Sequence, residues 1–290
     1  MFNSSYLTSA IPPLHIRGLL LLTCVLANSA MADTSRVIAT GGATTIEGSA
    51  GGGLVPWAVI NGYNSSDEWS ASAMATHVQL NDFSLNVTGA SLSFDNSVEL
   101  SVARQTFNLD TLGGELAQDI IGLKYKIAGE LLYTQLPQLS IGVQYKRLDD
   151  FTLPSLVGAK DDWGFDVYLA ATQLYFDALA GHNLLLNGTV RATKANELGL
   201  LGFGSQTNDD YQLVIEVSAA LLLRDDLALG VEYRQKPNQL DFAREDDWQD
   251  VFIAWFINKH LSVTAAYTQL GSIAGFDDQQ GWYLSFEGTL

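Results

Sequence analysis

Charged side chains set singly among apolar residues give this sequence its clearest capacity for chemistry. Lys124 stands between Leu123 and Tyr125, for example, and Glu232 stands between Val231 and Tyr233. Alternate side chains of an extended strand point to opposite faces, so these charges lie opposite their apolar neighbours. The charges that this parity predicts on one shared face are Lys124, Lys126, Lys146, Arg191 and Arg234, with Glu99, Asp166, Glu216, Glu232 and Glu287.

Two interpretations of this nearly neutral set stay open. Unpaired charges in a confined interior are costly, so the residues fit a ladder of ion pairs that fills a narrow space. They fit equally well a polar channel whose opposed charges create a transverse field. The balance of acids and bases argues against a strongly anion-selective pore.

Paired aspartates form a second group, and they follow or precede the apolar segments. Paired carboxylates suit hard divalent cations such as calcium or magnesium, although their spacing does not match an EF-hand loop. A solvated acidic rim is the more ordinary interpretation. The alternative hypothesis is a rim that binds divalent ions shared with lipopolysaccharide phosphates. The pairs chosen for this rim are Asp161–Asp162, Asp246–Asp247 and Asp277–Asp278.

Enzymatic chemistry has little support in the sequence. His182 and His260 fall at expected turns, and only His77 lies on a strand with Ser and Asp residues near it in the chain. A hydrolase triad built on His77 would need a nucleophile that no spacing identifies. No histidine or cysteine cluster has zinc spacing. We therefore predict no catalytic residue, no assigned metal and no cofactor.

The elements that must position these residues are strands. Twelve segments of roughly ten residues alternate apolar with small or polar residues, which is the signature of an outer-membrane barrel. A soluble sandwich also alternates, but its strands are shorter and its wet face normally carries more Lys and Glu. The predicted strands are 69–80, 83–94, 98–107, 119–131, 138–146, 163–175, 183–194, 211–223, 226–234, 248–257, 260–269 and 281–290.

Connections between the strands alternate in length, with short links such as 224–225 and long ones such as 147–162, 195–210 and 270–280. Short periplasmic turns and long external loops give this pattern in bacterial barrels. Before Val98 the alternation of connection lengths breaks down, because the expected external link at 81–82 is unusually short. Aromatic residues near strand ends suggest a bilayer interface, and they are Trp163, Tyr211, Trp248, Tyr267 and Trp282.

The final strand is predicted to close the barrel. Trp282, Leu284, Phe286 and Leu290 fall on one face, and Glu287 falls on the other. Barrel-assembly machinery commonly engages a last strand of this kind, although Leu290 stands where Phe is usual. Lipid, lipopolysaccharide and this machinery are therefore the expected partners.

The N-terminal part divides into two predicted segments ahead of the barrel at 69–290. Arg17, an apolar run and Ala30-Met-Ala32 indicate a signal peptide over residues 1–32, which contains the only cysteine, Cys24. Residues 33–68 are rich in glycine and fit a periplasmic lead, a plug in the lumen or an irregular first strand. Within them, 54–60 is strand-like. If this segment contributed two strands, the barrel would have fourteen.

Charge excludes one class of partner. The formal net charge is −17, which argues against nucleic acid as an electrostatically bound ligand. The hydrophobic content of 47% argues against disorder.

Several stretches also resemble a known family. They are Gly51–Trp57, Ile141–Arg147, Gly199–Gly204, Glu232–Pro237, Ala243–Asp247, Ala254–His260 and Gly281–Ser285. Together they resemble a proteobacterial family of exported proteins known only as a domain of unknown function. The resemblance spans nearly the whole expected mature chain and implies an envelope protein, with no established activity to carry over.

Three functions follow as hypotheses. The first is a small pore or passive transporter for small polar or mildly amphipathic solutes. The second is a closed structural or surface-interaction barrel with acidic external loops, distinguished by a lumen that side chains or Gly41–Gly53 block. The third, and least supported, is a hydrolase that acts at the outer surface.

Overall fold

Twelve antiparallel strands form a closed barrel in the computed structural model, which describes residues 38–290. The predicted signal peptide lies outside the described residues. The barrel strands are β3 (Trp69–Gln79), β4 (Ser84–Phe94), β5 (Val98–Asn108), β6 (Glu115–Ala128), β7 (Gln138–Leu148), β9 (Trp163–Leu179), β10 (His182–Thr193), β12 (Gln212–Arg224), β13 (Leu227–Arg234), β14 (Trp248–Asn258), β15 (Leu261–Ile273) and β16 (Phe276–Thr289). The prediction of twelve strands is confirmed, and the fourteen-strand alternative is wrong.

Short elements lie outside the barrel wall. Two pairs of strands form separate two-stranded sheets: β1 (Ala43–Thr44) with β2 (Ala50–Gly51), and β8 (Ala159–Asp161) with β11 (Phe203–Ser205). The helical elements are α1 (Thr152–Leu156) and a 3₁₀ helix (Asn196–Gly199) in the long loops. No helix among the described residues is long and apolar enough to cross a membrane.

Alternation along each strand separates a lipid-facing surface from the lumen. On β6, the side chains of Leu123 and Tyr125 are each 52% exposed, whereas Lys124 between them is 1% exposed. The same pattern places Ile141 and Val143 outside and Gln144 inside. Burying these apolar side chains in lipid is favourable, and a closed barrel leaves no strand edge unpaired within the hydrocarbon layer. The chain is therefore a transmembrane barrel of the bacterial outer membrane.

Pairing between β16 and β3 closes the cylinder. Trp282 pairs with Gln79 and Thr289 pairs with Ser72. Beyond the strand, the Leu290 amide donates to the Ala71 carbonyl at 2.8 Å. Trp282, Leu284 and Phe286 have exposed outer faces, and Glu287 is buried on the inner side.

Three local expectations are wrong. Residues 270–280 do not form a long loop, because β15 and β16 continue past register shifts near Gly271 to a turn at Ala274–Gly275. Residues 54–60 form no strand. Trp248 is buried rather than interfacial, since it pairs with inward-facing Arg234 and its ring lies 4.9 Å from the Lys236 ammonium.

Residues 38–64, called the plug segment below, fill the lumen. Nearly every residue from Thr40 to Asn64 is buried. Ile46, Leu54, Trp57 and Val59 belong to the main hydrophobic cluster, together with wall side chains such as Phe252. Among the three alternatives for the glycine-rich segment, the structure thus places it as a plug.

Candidate functional site

Glu47 is the central residue of an ionic cluster between the plug segment and the barrel wall. It lies in the turn between β1 and β2 and is fully buried. Its carboxylate accepts hydrogen bonds from Arg234 Nη1 at 2.8 Å and Nη2 at 3.0 Å, and from Arg191 Nη2 at 3.1 Å. The Lys146 ammonium also donates to it. Three cations on three different strands therefore converge on one plug carboxylate.

Two wall carboxylates complete this cluster. Asp166 lies 2.7 Å from Lys146 Nζ and 3.2 Å from Arg191 Nη1. Glu216 lies 2.6 Å from Arg191 Nε and 3.5 Å from Arg234 Nε. We call Glu47, Asp166, Glu216, Lys146, Arg191 and Arg234 the plug network. Its charges balance, which makes a buried set of ions tolerable.

A second ion pair holds the backbone of the plug segment. Glu99 accepts from the Ala50 amide at 3.0 Å and the Asn61 amide at 2.8 Å. Its partner Lys124, at 3.4 Å, donates to the Ala50 and Val59 carbonyls, both at 2.9 Å. Buried backbone groups that form no sheet need such partners.

The remaining lumen charges have separate environments. Glu232 accepts from the Leu54 amide at 2.7 Å and from Ser218 Oγ at 2.7 Å. Glu287 lies beside Asn61 of the plug segment. Lys126 is only half-buried and pairs with Glu130 at 3.0 Å, away from the plug.

Sequence reasoning missed two buried carboxylates in the lumen. Asp250 faces the lumen on β14 opposite Glu232, and the parity of Phe252 and Ala254 on the same strand was the signal that could have found it. Glu47 carried no such signal. The segment around it is not periodic, so its position depends on how the plug folds back into the barrel.

An apolar cavity lies at the long-loop end of the barrel, above the plug segment. Its volume is about 110 Å³. The walls come from the ends of β3–β6 and β14–β16 and from the external loops, and the floor includes Ile46 and Leu54 of the plug. We call this space the outer cavity. No sequence pattern predicted it.

A buried charged triad joins two external loops beside the outer cavity. Lys236 Nζ lies 2.5 Å from Glu197 Oε2 and 3.6 Å from Glu245 Oε2. The Glu197 amide donates to Glu245 at 3.0 Å. Burial, reinforced by the Glu197 carboxylate and opposed by Lys236, raises the pKa of Glu245 to about 8.

The predicted acidic rim is dispersed among different partners. Asp161 lies 3.3 Å from Lys194, Asp162 lies 3.8 Å from Arg147, and Asp246 lies 3.7 Å from Arg244. Asp247 accepts from the Lys236 amide at 3.1 Å.

Asp277 and Asp278 lie on β16, where their backbone carbonyls accept from Gln279 and Asn81. Across residues 38–290, no group of three or more His, Cys, Asp or Glu side chains is arranged to hold a metal ion.

His77 lies on the outer face of β3. Its Nδ1 is 2.8 Å from Asn86 Oδ1 on β4. In the described part of the chain, no serine, threonine or cysteine side chain is hydrogen-bonded to the ring. The geometry therefore supplies a candidate base and an orienting amide without a nucleophile.

Comparison with known families decides the relationship that the sequence suggested. A family model described as "Protein of unknown function (DUF3034)" matches residues 40–287. The chain belongs to this family. The match begins within the plug segment, so plug and barrel are both part of what DUF3034 members share with this chain. Among curated proteins, no sequence matches it.

Solved structures similar to this DUF3034 member are outer-membrane barrels. The NanC porin has a TM-score of 0.50 at 10% identity, over 76% of this chain and 100% of the porin. Omp33 of Acinetobacter baumannii has a TM-score of 0.46 at 9% identity, over 77% of this chain and 99% of Omp33. The KdgM porin has a TM-score of 0.47 at 9% identity, over 75% of this chain and 98% of KdgM. At such identities the likeness concerns the fold, and this porin-like barrel is the one that the sequence predicted.

Proposed function

We propose that this protein is a gated passive transporter of small solutes across the outer membrane, with the plug segment as its gate. The structure corresponds to the closed state. Opening would require the plug segment to leave its position or rearrange, which would expose the polar wall to water.

The observation that carries this proposal is the chemistry of the contact between plug and wall. A permanently filled barrel has no need of buried ions, because well-packed apolar residues of similar volume are often as stabilising or more so. Here the wall instead presents Lys124, Lys146, Arg191 and Arg234 to the plug segment. Such a wall tolerates water once the plug is displaced, whereas an apolar wall would not.

The charges on the lumen wall indicate which solutes an open barrel would admit. Without the plug segment, the lumen wall would keep four buried cations and six buried carboxylates, which are Lys124, Lys146, Arg191 and Arg234 against Glu99, Asp166, Glu216, Glu232, Asp250 and Glu287. We infer a weak preference for cations among ions, and a preference for small polar or mildly amphipathic solutes over highly charged ones.

A closed structural or surface-interaction barrel is the second candidate. The observation that favours it is the criterion given above for a closed barrel, because Gly41–Gly53 and wall side chains fill the lumen across residues 38–290. In this alternative, the external loops are the functional surface.

A reversible disulfide bond between plug and wall distinguishes the gated transporter from the closed barrel. Ala58 of the plug packs with Ala170 of the wall, and Cys24, the single cysteine of the chain, lies in the predicted signal peptide. With Ala58→Cys and Ala170→Cys together, we expect planar-bilayer openings to disappear on oxidation and return on reduction. The matched control is Ala58→Cys alone, which should conduct under both conditions. A correctly folded protein without openings under any condition, reduced or oxidised, would favour the closed barrel.

We further propose that barrel-assembly machinery engages β16 during insertion. Leu290 extends the apolar outer row of this strand and hydrogen-bonds to Ala71. We expect Leu290→Asp to lower the amount of heat-modifiable barrel in outer membranes, and Leu156→Asp, on an exposed external helix, to leave it unchanged. Normal assembly of the Leu290 variant would count against this proposal.

Divalent cations bridging the acidic rim to lipopolysaccharide remain a separate proposal. Asp277 and Asp278 support it best, because neither side chain forms an ion pair in the described chain. Thermal stability and loop proteolysis that do not respond to calcium or EDTA would remove it.

A further inference from the structure

We propose that the outer cavity is a binding site for a small apolar molecule about the size of one aromatic ring. This inference goes beyond the proposed transport function and does not depend on it, since the cavity can bind a ligand whether or not the plug opens.

The lining of the outer cavity determines the chemistry of the ligand. Its surface comes from side chains such as Phe83, Leu200 and Leu270, all nearly or fully buried. The polar residues at its edge, Gln105, Glu197 and Thr268, present no polar surface to it. Gln105 Nε2 donates to the Ile46 carbonyl at 2.7 Å, and Thr268 Oγ1 donates to the Gly281 carbonyl at 3.3 Å. A water molecule in such a space would lack the two to four polar partners that it needs.

The volume determines the size of the ligand. An engineered apolar cavity of ~150 Å³ in another protein stays dry and binds benzene or xenon. The outer cavity, at about 110 Å³, falls in the same range. A polar sugar or a charged solute has neither the space nor the hydrogen-bond partners here.

Access to the cavity comes from the external side. Leu112 and Phe242 line the cavity, yet they are 62% and 55% exposed. Both lie in long loops, where they place exposed apolar surface beside the cavity. They form the mouth of the cavity.

Backbone strain in the wall is a second, independent observation. Glu197 and Leu198 have φ angles of 44° and 61°, so two consecutive non-glycine residues adopt left-handed conformations. Such strain persists only where surrounding contacts impose it, and it is concentrated at ligand sites. Here Glu245 and Lys236 hold Glu197, and Leu198 lines the cavity.

The floor connects the cavity to the gate. Ile46 adjoins Glu47 in the chain, and the Leu54 carbonyl accepts from Arg234 at 2.9 Å. A ligand in the outer cavity would therefore contact the part of the plug segment that the plug network holds.

Fluorine NMR of fluorobenzene with the full protein in nanodiscs tests the proposal. We expect a saturable bound signal beyond that of empty nanodiscs. Leu200→Trp, which fills the cavity from a loop, should weaken this binding at least tenfold. Leu156→Trp is the matched control, because Leu156 is 78% exposed and lies outside the cavity lining. Should Leu200→Trp fail to fold, Leu270→Phe takes its place.

Three results would overturn the site. They are a signal no larger than that of empty nanodiscs, equal binding by the filled and native cavities, or tighter binding of 1-fluorooctane, which would identify an alkyl chain as the occupant. Fluorobenzene binding together with an absence of conductance would leave the site standing and remove the transport function. Conductance without binding would do the reverse.

Discussion

The plug network and the outer cavity adjoin each other, but opposite interactions build them. Glu47 lies among three cations with every charge paired, whereas Ile46, the preceding residue, borders a space without polar partners. The first region is filled and depends on electrostatic complementarity. The second is incompletely filled and apolar. Two adjacent residues therefore belong to an ionic contact with the wall and to the lining of an apolar cavity.

This contrast shows how a barrel can keep closure and recognition separate. Ionic contacts at the wall have strict geometric requirements, so they specify one position of the plug segment. An apolar cavity tolerates many ligands of suitable volume and contributes through burial. Each region should therefore respond to a different kind of substitution.

Removing the central carboxylate should have the largest effect. Glu47→Gln leaves three buried cations short of an acceptor, and we expect a loss of roughly 3–5 kcal/mol in the stability of the closed state. Planar-bilayer recordings should then show a large rise in open probability. The control is Glu216→Gln, which removes the same charge from the wall but touches no plug residue. An open probability of Glu47→Gln no higher than that of the native protein would mean that the plug network does not hold the gate.

The stability lost when a buried isoleucine is truncated should be the next largest effect, and it should differ between the packed wall and the lining of the outer cavity. Ile120 is buried in the wall away from the outer cavity, and Ile120→Ala should cost about 3–4 kcal/mol. Ile46→Ala should cost less, about 2 kcal/mol, because part of its side chain already faces a void. Unfolding by urea in lipid vesicles measures both. A larger loss at Ile46 would show that the outer cavity is effectively filled.

A change of pH should have a smaller effect than these substitutions, and it should act on the loops that form the wall of the outer cavity. The pKa of Glu245 rises to about 8 from an ordinary 4.5. The two loops joined by the Lys236, Glu197 and Glu245 triad therefore bind this proton more tightly when they are packed together than when they separate. Their stability is therefore highest below about 4.5, falls as pH rises towards 8 and then levels off.

Fluorobenzene affinity should follow this stability, with a decline of roughly tenfold between pH 5 and pH 9. Glu245→Gln should remove the dependence, and the rim variant Asp278→Asn should retain it. A pH profile that Glu245→Gln leaves unchanged would assign the dependence to another group.

Surface charges should matter least. Asp162 and Arg147 are exposed and 3.8 Å apart, so Asp162→Asn should change the free energy of unfolding by less than about 1 kcal/mol. The same substitution should leave conductance and fluorobenzene binding unaltered. A strong effect in the presence of calcium alone would instead support the divalent-ion proposal.

The barrel itself was largely predictable from the sequence. Alternation with a period of two assigns Leu123 and Lys124 to opposite faces without knowledge of any partner strand, because strand geometry alone sets that parity. It also predicted the strand count, whereas the family was indicated by the resemblance of separate stretches such as Ile141–Arg147. The same rule failed at 270–280, since bulges let β15 and β16 extend through residues that look like a loop.

Contacts between distant parts of the chain were decided only by the tertiary structure. The sequence could place Arg191 and Arg234 in the lumen, but it left open whether they line a path or fill it. Glu47 decides between these, and it belongs to a segment without periodicity that lies 144 and 187 residues from its two arginine partners. Such pairing depends on how the plug folds back into the lumen.

The outer cavity is likewise formed by contacts between distant parts of the chain. Ile46, Phe83, Leu200 and Phe242 come from the plug, two loops and a strand end, and no local pattern relates them. Sequence determined the barrel, its membrane and its two faces, because each follows from local alternation of side chains. Tertiary structure decided the filled lumen and the apolar cavity, because both are formed by residues that only the folded chain brings together.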